Sequence, residues 1–170
     1  LRKEMGMEPE ISSDVVVRLL RTANETAVEI CGILRGTGER ITAAEPARNV
    51  AADPARHFEI DPAALFAALR DARRGGAAIL GWYHSHPSGS ADPSATDAAQ
   101  AAPDGMLWLI VGGGTVRLWR AVADGARHGR FDPVSFTVAA SGHVEKNCEA
   151  VHMEEAGRTM TFAKAQGSSH

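Results

Sequence analysis

Apolar residues fall at helical spacing in three stretches. In "EISSDVVVRLLRTANET" (10–26), Val16, Leu19, Leu20 and Ala23 share a face behind Ser12, Ser13 and Asp14, which predicts a capped helix over about 13–23. In "DPAALFAALRDARRGG" (61–76), Asp61 stands at the N-cap and Pro62 at the first helical position. Leu65, Leu69 and Ala72 form the stripe there, and Gly75 ends it. "PSATDAAQAA" (93–102) opens a third helix. Between them, 27–36, 40–50, 77–86, 106–113, 115–123 and 130–138 read as strands, and 57–60 as a short extended stretch. Pro46 limits the second of these to an edge, and a tight Gly-rich turn joins 106–113 to 115–123. Helices alternating with runs of strands predict a mixed sheet packed against helices, an α/β (α+β) fold. Residues 8–139 are expected to form one domain. Residues 140–170 are polar and weakly patterned, and are expected to be an extension to it.

Composition narrows this picture. The chain has 170 residues, 44% hydrophobic and 23% charged, enough for one real core. A net charge of −3 without a basic stripe argues against a nucleic-acid or anionic-membrane partner. No apolar run is long enough to span a bilayer, and "LRKEMGMEPE" has no apolar signal core. Two cysteines, Cys31 and Cys148, do not make a disulfide framework, so a reducing cytoplasm is expected. "LRKEM" and "GSSH" at the two ends are atypical and carry no functional weight.

The chemistry concentrates in "GWYHSHPSGSADPSATD" (81–97). His84 and His86, two apart at a strand end, project both imidazoles from one face. Ser94 and Asp97, three apart at a helix start, also share a face. Pro87, Gly89 and Pro93 give the loop between them enough turn chemistry to fold the helix start back over the strand end. Two imidazoles and a carboxylate would then surround one point, the three-ligand set of a catalytic zinc with its fourth position open. In "AVEICGILRG" (27–36), Glu29 shares a strand face with Cys31 and Ile33, which is unusual for a carboxylate. Each element alone has a plainer reading. Ser94-x-x-Asp97 is close to a capping box, a strand-end histidine is usually just hydrogen-bonded, and Glu29 suits an arginine partner. Together they point to a metal, although two histidines and a carboxylate also suit non-haem iron. Cys148 and His152 lack a further ligand pair, so no second zinc site is expected there. Trp82 and Tyr83 read as core packing, and His57 as a structural or cleft-edge residue.

"HSHPSGSADPSATD" resembles the JAMM (MPN-plus) metalloprotease signature H-[ST]-H-P-x6-S-x-x-D at every fixed position. "ETAVEICGILRG" is similar to the segment carrying that family's upstream glutamate, and "RNV" with "HFEIDP" to its intermediate strand region. The resemblance runs from about residue 10 to 125. It implies a JAB/MPN domain, a deaminase-like sheet flanked by helices. It implies Zn2+ on His84, His86 and Asp97, with Glu29 as general base and acid and Ser94 supporting the oxyanion. It further implies a peptidase or isopeptidase of the short bacterial type. Such an enzyme would cut after the Gly-Gly tail of a ubiquitin-like or sulfur-carrier protein laid along a strand edge. No nucleic-acid or membrane partner is expected, and an oligomer is compatible with the sequence. Two alternatives stay open: a RadC-like DNA-associated protein, whose loop is similar, and a zinc-stabilised MPN scaffold without activity.

Overall fold

The computed structural model describes residues 7–140, 151–154 and 159–162. In chain order the elements are β1 (Glu10–Ser12), α1 (Ser13–Asn24), β2 (Cys31–Thr37), β3 (Arg40–Ala47), α2 (Pro62–Arg73), β4 (Ala78–His86) and α3 (Ala95–Gln100). They continue with β5 (Leu107–Gly112), β6 (Thr115–Gly125), β7 (Gly129–Val134), β8 (Thr137–Ala139), β9 (Val151–Glu154) and β10 (Thr159–Phe162). The strands join in one sheet of order β8-β1-β3-β2-β4-β5-β6-β10-β9, with β7 also on β6. The β4–β5 pair is parallel and its flanking pairs are antiparallel, so the sheet is mixed. Among the described residues no helix is long and apolar enough to cross a membrane.

Alternation along the strands gives the sheet two apolar faces. On one face, α1 lays Val15, Val16, Leu19 and Leu20 against Leu34, Ile41, Tyr83, Leu109 and Leu118. On the other, Trp108, Ile110, Trp119, Phe131 and Cys31 pack with Phe58 and Ala91. This second face carries the odd chemistry of β4, because Trp82, His84 and His86 point opposite to Tyr83.

α1 and α2 begin where the sequence places them, and Asp61 caps α2 by accepting from the Ala63 N–H at 2.9 Å. Two expectations are refined and two need correction. Ser12 holds the N-cap position of α1 and Ser13 begins the helix, but the Ser12 side chain makes no cap bond, and residues 10–12 also form β1, paired in parallel with β3 and β8. "HFEI" carries no ladder, and a single bridge, Asn49 to Ile60, ties it down. Residues 130–138 divide into β7 and β8, since Ser135 and Phe136 leave the ladder and Phe136 turns into the core. Glu29 lies outside β2, because its N–H bonds to Pro54 O at 2.7 Å rather than to a neighbouring strand. The Cys148–His152 spacing lies partly outside the described residues.

Arg35 on β2 is buried and fastens α2 to the sheet. Its guanidinium donates to Glu45 Oε2 at 3.1 Å, to Asp71 Oδ2 at 2.5 Å, and from two nitrogens to Ala77 O at 3.0 and 2.7 Å. Both carboxylates are about half exposed, so the buried arginine carries most of the energy. Arg35→Ala is expected to cost about 2–4 kcal/mol in urea unfolding, and Glu45→Ala less than about 1 kcal/mol.

Candidate metal centre

The centre starts from two periods. On β4 the two-residue period aims His84 and His86 at the same side, and at the start of α3 a three-residue step aims Asp97 toward them. His84 Nε2 stands 3.0 Å from His86 Nε2. Asp97 Oδ1 lies 3.2 Å from His84 Nε2, and Asp97 Oδ2 lies 3.3 Å from His86 Nε2. One donor atom from each of the three residues lies within 4.8 Å of the others.

Protons test whether this set fits a cation. His86 Nδ1 is 2.9 Å from Ser90 O, and a carbonyl only accepts, so Nδ1 carries the hydrogen. In the neutral ring Nε2 is then a bare lone pair aimed at His84 and Asp97. Two imidazole nitrogens and a carboxylate crowded together lack positive charge, which a metal ion supplies. The second ring nitrogen bonded to a main-chain carbonyl is the arrangement metal-bound histidines use. His84 differs: its Nδ1 is buried without a hydrogen-bond partner among the described residues. Aromatic walls fix that ring instead, Phe58 stacked at 4.3 Å and 17°, with Trp108 edge-on at 5.8 Å.

Ser94 is the N-cap of α3 and also touches the centre. Its Oγ accepts from the Asp97 N–H at 3.1 Å and donates to Asp97 Oδ2 at 2.7 Å, while its own N–H donates to the same oxygen at 2.6 Å. The capping box and the ligand position are therefore one structure.

The preceding loop is held from the far side of the site. Gly112 lets it close on β5, since a Cβ there would meet Ser90 C at 2.5 Å. Trp119 Nε1 donates to Ala91 O at 3.0 Å, and Asp92 pairs with Arg117 and with Arg127. Asp92 thus anchors the loop and does not approach the ligands.

The charges follow from burial and proximity. Burial pushes the Asp97 carboxyl up. When the imidazoles are protonated, hydrogen bonds from His84 and His86 and the His84 charge, with the Ser94 N–H, outweigh it and hold the group far below the carboxylate range. Burial lowers His84. Burial also opposes His86, but its bonds to Asp97 and Ser90 O and the charges of Asp97 and Glu29 raise it on balance. Glu29 is 5% exposed. Burial drives its carboxyl up to about 7, His86 pulling it down and Asp97 and Asp53 adding to the rise. The β2–β4 register pairs Cys31 with His84 and continues through the Ser85 N–H bond to Ile30 O, which brings Glu29 alongside His86. Glu29 is not one of the converging donors, and among the described residues no arginine pairs with it.

Residues 12–122 match the family described as prokaryotic homologs of the JAB domain. The chain belongs to this family. It is 39% identical over 90 residues to the desampylase of Haloferax volcanii; the match spans 52% of this chain and 65% of that relative. A solution structure of a protein from Desulfitobacterium hafniense superposes with a TM-score of 0.64 at 25% identity, covering 80% of this chain and 94% of the other. A crystal structure of a JAB1/MPN domain protein from Archaeoglobus fulgidus has the same fold, with a TM-score of 0.52 at 18% identity, covering 79% and 100%.

In this prokaryotic JAB-domain protein a cavity of about 640 Å³ opens beside the centre, lined by Phe58, Ile60, Leu65, Trp82, Trp108 and Gln100 among others. Trp82 is only partly buried and forms cavity wall as well as core, which revises its assignment to packing alone. Tyr83 points to the opposite face and is core. His57 sits at the cavity rim, as its cleft-edge assignment has it. Cys31 is a buried thiol pushed up to about 11 by burial, with the Glu29 charge adding to the rise, so it is no nucleophile. Three contributors escaped sequence reasoning: Phe58 against His84, the Ser90 carbonyl, and Asn49. Nothing in their residue types advertises these contacts, which arise only when distant segments meet.

Proposed function

We propose that this protein is a zinc-dependent peptidase or isopeptidase. It hydrolyses the amide bond after the C-terminal Gly-Gly of a ubiquitin-like or sulfur-carrier protein, in the cytoplasm. The observation that carries this reading is the convergence of His84, His86 and Asp97 beside a buried Glu29. Two imidazoles and one carboxylate favour zinc over hard cations. A relative named as a desampylase supports an enzyme over a scaffold. The family match to residue 122 and the end of β8 at Ala139 support 8–139 as the catalytic unit, with 140–170 an extension.

When bound, the ion supplies Lewis acidity and lowers the pKa of water toward about 7. Without the ion, burial holds Glu29 up at about 7; a bound cation beside it would favour the carboxylate, the form that accepts a proton. As carboxylate it takes a proton from the attacking water. The water oxygen bonds to the amide carbon, the C–N bond breaks, and Glu29 returns the proton to the departing amine. Ser94 can turn its O–H from Asp97 Oδ2 toward the developing oxyanion by rotation about Cβ–Oγ. The Asp97 N–H still holds its oxygen in place. Phe58 and Trp108 exclude water from the His84 ring, and the adjoining cavity receives substrate.

Gly-Gly-tailed carriers bearing C-terminal extensions test this directly. Incubation with the protein should remove the extension by mass, and a chelator should stop the loss. Absence of metal-dependent mass loss from every carrier would refute the reading.

A further inference from the structure

Glu29 stands outside the strand ladder, on the stretch just before β2. Side chains hold its main chain instead. Asn49 Nδ2 donates to Glu29 O at 3.0 Å and to His57 O at 2.9 Å. Asn49 Oδ1 accepts from the N–H groups of Ala51 and Glu59, each at 3.1 Å. Both amide hydrogens and both lone pairs of the carboxamide are used, which is all an asparagine side chain offers. Segment 51–59 is tied to Glu29 a second time, through the Glu29 N–H bond to Pro54 O at 2.7 Å. Phe58, in that same segment, stacks on the His84 ring. The same peptide unit is held from β4 as well: Ser85 Oγ accepts from the Ile30 N–H at 3.0 Å, and the Ser85 N–H donates to Ile30 O at 3.0 Å.

We propose that Asn49 is a positioning residue. Its carboxamide fixes the Glu29 main chain to segment 51–59, and so keeps the carboxylate at the water it deprotonates. It does this without contact to His84, His86 or Asp97. The inference rests on the hydrolase reading of Glu29. It adds that a side chain remote from the metal sets turnover through the base alone.

Two substitutions separate the arms of the clamp. Asn49→Asp keeps an oxygen for the Ala51 and Glu59 N–H groups but turns a carboxylate oxygen toward the Glu29 and His57 carbonyls. Asn49→Ala removes all four bonds. With a Gly-Gly-tailed carrier extended by a short peptide, N49D is expected to lose about 10–100-fold in kcat. Its KM and its zinc Kd, read by competition with a chromophoric chelator, should stay within about twofold, the ligands being untouched. Amide hydrogen exchange at Ala51 and Glu59 should remain slow in N49D and become fast in N49A, with a raised KM in N49A as the cavity wall loosens. Should N49D not fold, Asn49→Ser, too short to reach both carbonyls, is read in the same way. Wild-type kcat in N49D, or a fall in zinc affinity equal to the fall in kcat, overturns the proposal. An inactive Glu29→Gln beside a fully active N49D sinks this inference alone. A fully active Glu29→Gln sinks the base, and Asn49's role with it.

Discussion

Glu29→Gln is expected to bind zinc as the wild type does and to lose about 10²–10⁴-fold in kcat, the usual contribution of a positioned acid–base group. The substitution keeps shape and removes only the ability to exchange a proton. A chelator-competition titration beside single-turnover cleavage separates the two effects, and retained turnover would take Glu29 out of the chemistry. The same variant should be more stable than the wild type in metal-free protein. The carboxyl rises from an ordinary 4.5 to about 7 on folding, because burial penalises its charge. Below about 4.5 it is protonated in both states and costs nothing. As pH climbs through 7 the folded state must bury an ionised group, and stability from this residue is lost. Glutamine escapes that loss. Urea unfolding of chelated protein above pH 7 should favour the variant by about 1–3 kcal/mol, with the gap closing at acid pH. A residue that destabilises the fold at the pH where it works is held for its chemistry.

Much of this centre was legible before folding because short-range geometry decides it. A two-residue step on a strand and a three-residue step on a helix leave no choice of face for His84, His86, Ser94 or Asp97. The capping-box reading of Ser94 and Asp97 and the ligand reading looked like rivals. The structure joins them, since the cap fixes the carboxylate that faces the imidazoles. Glu29 was legible as an oddity, an acid among apolar residues, but not in its placement. The strand pattern predicted it inside β2, and bonds to Pro54 and Asn49, 25 and 20 positions away, took it out. "HFEI" alternates like a strand, yet its N–H and C=O groups at 57 and 59 are claimed by one asparagine, leaving Phe58 free to cover His84. Where distant segments compete for the same main-chain groups, local periodicity loses.

Asp97→Asn should separate the cap from the metal site. The wild-type carboxylate accepts from the Ser94 N–H at 2.6 Å and faces both ring nitrogens at 3.2 and 3.3 Å, all from a buried position. An asparagine oxygen can still accept from Ser94, so the start of α3 survives. Its NH2 then faces the imidazoles as a donor, where an anion is needed. Zinc affinity is expected to fall by more than about 100-fold, beyond what loss of an outer partner costs. Asp97→Ala loses the reciprocal bonds of the cap as well, and should be less stable than D97N by about 1 kcal/mol in chelated protein. Thermal melts expose the difference without any substrate. Zinc that binds the folded state alone stabilises it by about 2.7 kcal/mol at a hundredfold excess over Kd, so the wild-type midpoint must climb with added zinc. The D97N midpoint should stay flat over that range while its metal-free value matches the wild type. A zinc-dependent rise in D97N as large as in the wild type would mean that the ion sits elsewhere. His84 and His86 would then be a buried pair held together by Asp97 for packing alone.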